Sequence, residues 1–316
     1  MSTAILLAIT SWDPKGWDER FRALAPHRDI RLWPDRVGDP SEIAYLCAWM
    51  APRGLAAQFP NLEAVFSLGA GVDHLINDPS LPDVPVVRIV DPDLIMRMSE
   101  YVVLHVLMHH RHVGLYQAQQ RDRLWRDHHQ PAANEVAVGI MGLGVLGRDA
   151  ADVLRRLGFR VAGWSRTIKA DCGIETFDGA AGLDRFLART EILVCLLPHT
   201  PATEGILDLA LLRKLRRDGA LGGAYLINAG RGKLQVDADI VAALDEGSLE
   251  GATLDVFPLE PLAPKSPLWI HPKITITPHN AAASDPRTLA VNVLDQIARV
   301  ERGLPLENVV DRTAGY

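Results

Sequence analysis

The sequence predicts an α/β protein of two domains, each built on a parallel sheet. Three observations carry that expectation. Short apolar runs alternate with helical stretches along almost the whole chain, the pattern of strands joined by crossover helices. At 316 residues the chain is long enough for two separate cores. A strand, glycine turn, helix and strand follow one another from Val136 to Arg166, and an α/β layer of its own precedes them.

Composition excludes several classes. The net charge is −6, so no overall basic field invites nucleic acid. No apolar run approaches the length of a membrane span. The N-terminus is apolar from Ala4 to Ile9 but lacks a basic leader and runs into a polar turn at Thr10-Ser11-Trp12-Asp13-Pro14. It reads as a first strand, not a signal peptide. Cys47, Cys172 and Cys195 are odd in number and far apart, with no metal-ligand spacing. They suggest a reducing compartment, hence a cytoplasmic protein without a metal.

In the first hundred residues, Ala4 to Ile9, Ile30 to Trp33, Ile43 to Trp49, Leu62 to Leu68 and Val84 to Val90 read as strands. Trp17 to Leu24 reads as a short helix. Two loops lie at carboxyl ends of these strands, where open α/β sheets bind ligands. Leu68-Gly69-Ala70-Gly71-Val72-Asp73 has small residues that leave N–H groups bare, either a nest for an anion or an ordinary tight turn. Trp49, in Trp49-Met50-Ala51-Pro52, either walls a substrate pocket or packs in the core.

Met96 to Gln120 reads as one long helix linking the two domains, with Ser99 to Val102 as a hinge candidate. His105 and His109 have the i, i+4 spacing of metal ligands, but no third ligand suggests itself. A solvated or interfacial helix face is the expected role of these histidines.

The stretch from Val136 organises the second half. Val136 to Met141 is an apolar strand, and Gly142-Leu143-Gly144-Val145-Leu146-Gly147 follows at once. A helix from Ala150 to Leu157 and a strand from Arg160 to Trp164 complete the unit. In this context Gly142 permits a tight turn, Gly144 lets backbone approach a pyrophosphate, and Gly147 lets the helix pack close to the strand. The N–H groups that open the helix then face the phosphates. The end of the second strand selects the dinucleotide. An NAD site usually carries Asp or Glu there, for the ribose 2′-hydroxyl. Here Ser165 and Arg166 occupy the place, with Lys169 nearby. A guanidinium binds a 2′-phosphate that a carboxylate would repel, so NADPH is expected to be preferred and NADH to bind more weakly.

Strands at Glu191 to Leu197, Ala224 to Asn228, Gly251 to Val256 and Ile274 to Thr277 continue the fold, with helical segments at Leu209 to Leu215 and Ala238 to Glu246. Their loops share the sheet edge that holds the glycine turn. Three of them deliver Arg231, Glu260 and His279. Arg can hold a carboxylate and polarise a carbonyl, His can pass a proton near neutrality, and Glu beside it orients the ring and stabilises its charged form. Each has a bland reading alone. Together beside a nicotinamide they are the parts needed to reduce a 2-oxo acid.

With these residues in place the chain resembles the D-isomer-specific 2-hydroxyacid dehydrogenases nearly end to end. The likeness rests on the glycine turn 142–147, Leu196-Leu197-Pro198-His199-Thr200-Pro201, Asn228-Ala229-Gly230-Arg231-Gly232, Leu254-Asp255-Val256-Phe257 with Glu260-Pro261, and Pro278-His279. Within that family it is most similar to bacterial reductases of glyoxylate and hydroxypyruvate, through Cys47-Ala48-Trp49, Trp164-Ser165-Arg166, Ser266-Pro267-Leu268-Trp269 and the terminal run Val310 to Tyr316. The resemblance implies a Rossmann-type doubly wound nucleotide-binding domain, residues 102–284. It also implies a discontinuous flavodoxin-like substrate domain, residues 1–101 and 285–316. Arg231 would bind substrate, Glu260 would be the partner carboxylate and His279 the acid/base. Ala70 and Gly71 N–H groups would hold the substrate carboxylate, with Trp49 near it. Asn228, Ala229 and Asp255 would meet the nicotinamide end, and Leu197, Pro198 and Thr203 the cofactor's flank. A homodimer through the nucleotide domain and its entry helix, Val102 to Tyr116, is also implied.

Two places depart from the family pattern. Asn280-Ala281-Ala282-Ala283 follows His279, and Ser284-Asp285-Pro286 displaces an expected arginine to Arg287. Some relatives act as corepressors that sense dinucleotide, which leaves a binding protein, or a dehydrogenase for a different 2-hydroxy acid, as the competing reading.

Overall fold

The computed structural model describes residues 3–169, 172–313 and 315. Of the terminal run that carries part of the resemblance, Ala314 and Tyr316 lie outside the described residues. In chain order the elements are β1 (Ala4–Ile9), α1 (Lys15–Leu24), β2 (Ile30–Leu32), β3 (Ile43–Trp49), β4 (Ala64–Ser67), α2 (Asp73–Ile76), β5 (Val86–Val87), α3 (Pro92–His110) and α4 (Val113–Arg121). There follow β6 (Ala137–Met141), α5 (Val145–Arg156), β7 (Arg160–Ser165), β8 (Glu175–Asp178), α6 (Gly179–Leu187), β9 (Ile192–Cys195), α7 (Leu209–Leu212), β10 (Tyr225–Asn228), α8 (Asp237–Glu246), β11 (Gly251–Leu254), β12 (Ile274–Ile276) and α9 (Pro286–Glu301). The chain forms two units, one holding the chain up to Leu94 and again from Ala283, the other Ile95–Ala282.

In the first unit the sheet order is β2-β1-β3-β4-β5, all parallel, the flavodoxin-like arrangement. Successive side chains of a strand face opposite ways. Ile5, Leu7 and Ile9 of β1 accordingly join one apolar cluster and Ala4, Leu6 and Ala8 another. This is why β1 and β3 are apolar throughout rather than alternating. α9 belongs here because Leu289, Ala290, Val293 and Ile297 recur at helical spacing and pack with Trp17, Phe21 and the β1 side chains. Asp285 caps it by accepting the Arg287 N–H at 2.8 Å, and Pro286 opens its first turn.

The second unit carries a parallel sheet in the order β12-β11-β10-β9-β6-β7-β8. The order reverses between β6 and β9, the place where doubly wound sheets bind ligands at carboxyl strand ends. Apolar clusters cover both faces, with Leu193 and Cys195 on one side and Ile192 and Val194 on the other. Glu191 is fully buried just before β9. Its carboxylate accepts the Ala137 N–H and the Leu221 N–H, each at 2.9 Å.

Several expectations are corrected. The single helix over Met96 to Gln120 is two helices, because His112 takes a left-handed backbone (φ 52°) and starts α4 afresh. Ser99 to Val102 lie inside α3, with Tyr101 and Val102 in the second unit's core and Ser99 Oγ donating to Asp149, so no break in the helix marks a hinge there. The histidines of α3 do not form a solvated face. His105 and His110 are buried, His105 Nδ1 donating to the Tyr101 carbonyl at 2.8 Å and His110 Nε2 to that of Pro131 at 2.8 Å. His109 Nε2 lies 3.0 Å from Thr253 Oγ1. α5 begins at Val145 rather than Ala150, since Gly147 in its first turn interrupts the apolar spacing. β8 and α6 were not legible. β8 buries only Phe177, and two glycines weaken the helical signal of α6.

Candidate active site

The glycine turn after β6 has the backbone that a pyrophosphate needs. Gly142 has φ +105°, a conformation L side chains rarely adopt, and a Cβ there would lie 2.7 Å from the Leu196 carbonyl oxygen. A Cβ on Gly147 would come within 1.9 Å of the Gly142 oxygen, so only glycine lets α5 approach. Gly144 is the N-cap of α5, and nothing lies within 4 Å of where its Cβ would stand. The N–H groups of Val145, Leu146 and Gly147 open the helix above that empty face. The residues fit a dinucleotide phosphate.

β7 ends at Ser165, which is buried and donates its hydroxyl to the Thr167 carbonyl at 2.8 Å. Its side chain shapes the turn. Arg166 is exposed beyond it and Lys169 partly exposed. Asp178, at the end of β8, is the register partner of Ser165, an acidic neighbour along this edge that the reading of the strand end did not consider.

The loops after β10, β11 and β12 bring three expected residues to the same edge. His279 Nδ1–H donates to Glu260 Oε2 at 2.6 Å, and Glu260 Oε1 accepts the Phe257 N–H at 2.9 Å. Burial of Glu260 opposes its ionisation. The bonds from His279 and Phe257 and the charges of His279 and Arg231 outweigh it, holding the carboxyl below the usual Glu range. The bond at Nδ1 leaves Nε2 as the nitrogen that can hand over a proton. Gly232 makes the neighbourhood of Arg231 and Glu260 possible. A Cβ there would lie 1.9 Å from the Phe257 backbone, so the β10 and β11 loops pack together without side chains between them. Arg231 Nη1 donates to the Gly230 carbonyl at 2.7 Å.

Asn228 and Asp255 spend their side chains inside these loops. Asn228 Nδ2 donates to the Arg231 carbonyl and to Gln235 Oε1, at 3.2 and 2.7 Å, while its oxygen accepts the Gly230 N–H at 3.1 Å. Asp255 is buried and pins the turn that carries His279. Its Oδ1 accepts the Thr277 hydroxyl at 2.6 Å and the Asn280 N–H at 3.0 Å, its Oδ2 accepts the Ala281 N–H at 3.1 Å, and its carbonyl accepts the His279 N–H at 2.8 Å. His279 itself is left-handed (φ 51°), an unfavourable backbone for a residue with a side chain. Thr203 likewise closes its own loop, its Oγ1 donating to the Pro198 carbonyl at 2.8 Å. Leu197 is buried, Pro198 is partly exposed, and Ala229, just after β10, is buried.

In the first unit, Ala70 and Gly71 follow β4, where Ser67 Oγ lies 2.7 Å from the Gly71 carbonyl oxygen and 3.0 Å from that of Gly69, with one hydrogen to give to either. Trp49 lies flat over Gly69, stacked on Trp12 at 4.6 Å and edge-on to His74 at 4.9 Å. Arg287, the displaced arginine, is clamped on Asp285 through Nε and Nη2. Sequence reasoning overlooked Ser67, Thr277 and Tyr101. Ser67 and Thr277 stand next to motif residues, but hydroxyls in strand-end runs carry no signal of their own.

The family model described as D-isomer specific 2-hydroxyacid dehydrogenase, NAD binding domain, matches residues 73–281. Glyoxylate/hydroxypyruvate reductase A of Yersinia enterocolitica is 38% identical over 311 residues, 96% of this chain and 97% of the relative. The crystal structure of an NADPH-dependent glyoxylate/hydroxypyruvate reductase from Sinorhizobium meliloti, in complex with NADP and sulfate, is 48% identical with a TM-score of 0.95 and covers 100% of both chains. A probable 2-hydroxyacid dehydrogenase from Rhizobium etli, in complex with NADP, HEPES and L(+)-tartaric acid, is 50% identical with a TM-score of 0.93, over 99% of this chain and 100% of that one.

Proposed function

The chain belongs to the D-isomer-specific 2-hydroxyacid dehydrogenases, and on that premise we propose that it reduces small 2-oxo acids, glyoxylate and hydroxypyruvate, to glycolate and D-glycerate with NADPH. The observation that carries the reading is the His279–Glu260 contact of 2.6 Å at the sheet edge that also holds the glycine turn. The likeness to reductases of these two acids, one of them in complex with NADP, supports the substrate and the cofactor.

NADPH supplies the hydride. The N–H groups of Gly144 to Gly147 hold its pyrophosphate and Arg166, with Lys169, its 2′-phosphate. His279 donates the proton to the carbonyl oxygen from Nε2, Glu260 orients the ring through Nδ1, and Arg231 holds the 2-oxo acid and polarises its carbonyl. The family resemblance assigns the N–H groups of Ala70 and Gly71 to a substrate carboxylate and Trp49 to the limit on substrate size. The first unit is thus the substrate domain and the second the dinucleotide domain. The exposed Leu104, Leu107 and Leu115 of α3 and α4 suit a homodimer contact, and the buried thiols of Cys47 and Cys195 a cytoplasmic setting.

The test is turnover against a panel of small 2-oxo acids with NADPH and with NADH. Fastest reduction of glyoxylate or hydroxypyruvate with NADPH is expected. Tight NADPH binding with no turnover on any of them would instead make the protein a dinucleotide-sensing binding protein.

A further inference from the structure

The turn that carries His279 is tied to helix α3 by a directed chain of hydroxyls. Thr277 Oγ1 donates to Asp255 Oδ1 at 2.6 Å. A hydroxyl has one hydrogen, and that one is spent on the carboxylate. The 2.7 Å contact between Tyr101 Oη and Thr277 Oγ1 must therefore be filled by the tyrosine's hydrogen. The chain runs one way, from Tyr101 through Thr277 to Asp255.

Asp255 is the point on which the strained residue leans. It receives the N–H groups of Asn280 and Ala281 on its carboxylate and that of His279 on its carbonyl. A second bond, from the His279 N–H to the Thr277 carbonyl at 3.1 Å, closes the turn. A left-handed His persists only where its surroundings hold it on both sides. Thr277 shares Oδ1 with the Asn280 N–H, so the threonine hydroxyl sets where that oxygen sits. Tyr101 in turn sets the hydroxyl. The tyrosine is rigidly placed for this. It is 8% exposed, and its ring packs at 4.1 Å against that of His105. Burial opposes its ionisation, so it stays a donor through the range in which an enzyme is assayed.

We propose that Tyr101 is a positioning residue for His279, holding the turn 277–281 in register with Glu260 through Thr277 and Asp255. The inference rests on His279 as the proton donor proposed above. It assigns to α3 a part in aiming the imidazole that its sequence does not announce.

The experiment compares Tyr101→Phe, Thr277→Val, Thr277→Ser and His279→Ala, alone and with Tyr101→Phe added to His279→Ala. The readouts are the single-turnover rate of NADPH oxidation with glyoxylate, its solvent deuterium isotope effect, NADPH affinity by fluorescence, and Tm. Tyr101→Phe keeps the ring and removes one oxygen. It should slow the single turnover roughly two- to tenfold, the worth of one hydrogen bond, and raise the isotope effect while leaving NADPH affinity unchanged. Thr277→Val should do the same, and Thr277→Ser, which restores the hydroxyl, should return close to wild type. In the His279→Ala background Tyr101→Phe should add nothing, because its effect travels through the ring. A lowered Tm with an unchanged turnover rate and isotope effect overturns the proposal and leaves Tyr101 a structural residue. So does an additive loss in the double variant. Should Tyr101→Phe fail to fold, the Thr277→Val and Thr277→Ser pair decides alone. His279→Ala with near-normal turnover would bring down the functional reading itself, and this inference with it. An inactive His279→Ala beside a fully active Tyr101→Phe sinks only the positioning role.

Discussion

His279 Nδ1 and Glu260 Oε2 stand 2.6 Å apart, on loops that follow two neighbouring parallel strands. Neither residue is close to the other in sequence, and Asp255, at the start of the loop that carries Glu260, pins the turn that carries His279. The pair is therefore a property of the sheet edge rather than of either loop.

Its behaviour with pH follows from the sign of the Glu260 shift. Burial opposes ionisation, but the bond from His279 and the neighbouring charges hold the carboxyl below the usual range. A lowered pKa means that the ionised pair stabilises the fold above the ordinary Glu value of about 4.3, and is lost as pH falls through the lowered one. Across about pH 5 to 9 Glu260 then stays charged and remains the acceptor for the His279 ring. Glu260→Gln keeps an acceptor but removes the charge, so turnover should fall, and the loss that wild type shows as pH drops through the lowered Glu260 value should disappear. His279→Ala should cost about 10²–10⁴-fold in turnover with NADPH affinity little changed. Turnover against pH for the three proteins, with cofactor binding by fluorescence, checks both. A Glu260→Gln profile superimposable on wild type would remove Glu260 from the proton path.

Arg166 is exposed just past β7, next to a serine whose hydroxyl is already engaged. If its guanidinium meets the 2′-phosphate, Arg166→Ala should weaken NADPH by about ten- to hundredfold, the value of a charged hydrogen bond, and leave NADH nearly unchanged. Michaelis constants for the two cofactors provide the measurement. Equal losses for both would refute the assignment.

Trp49 rests on the bare backbone of Gly69, and a Cβ there would lie 2.2 Å from its ring. Trp49→Ala should relax the preference for glyoxylate and hydroxypyruvate toward larger 2-oxo acids. Gly69→Ala should act in the same direction by displacing the ring without removing it. Relative kcat/KM for glyoxylate and phenylpyruvate checks this, and a wild-type enzyme that favours phenylpyruvate would contradict it.

Glu191 offers a test of stability apart from chemistry. Its buried carboxylate serves two backbone N–H groups, on β6 and before β10. Glu191→Ala leaves both unpaired and should cost about 2–4 kcal/mol, measured by urea unfolding. The turnover of the folded fraction should stay near wild type. An unaltered unfolding midpoint would show that the two donors find other partners.

The dinucleotide unit was legible in the sequence because its constraints are local. Gly142, Gly144 and Gly147 are demanded by a φ, an open face and a close approach, all within six residues of chain. The continuous apolar runs of β1 and β3 were equally readable, since burial on both faces leaves no polar position. The break at His112 was not, because histidine carries no strong turn signal and the apolar spacing runs on through it. β8 was hidden for the opposite reason, having too few buried positions to show a period.

The sequence by itself determined the type of sheet, the glycine turn and the identity of Arg231, Glu260 and His279 as strand-end residues. Those features follow from periodicity and from backbone conformations that few residue types permit. Only the tertiary structure decided what each side chain does once there. Asn228 and Asp255 turn inward to hold loops, and Ser165 closes a turn. Tyr101 reaches Thr277 across 176 residues of sequence. A hydrogen bond depends on distances of a few tenths of an ångström between groups far apart in the chain. No periodicity encodes that, because it is set by how the strands and helices pack.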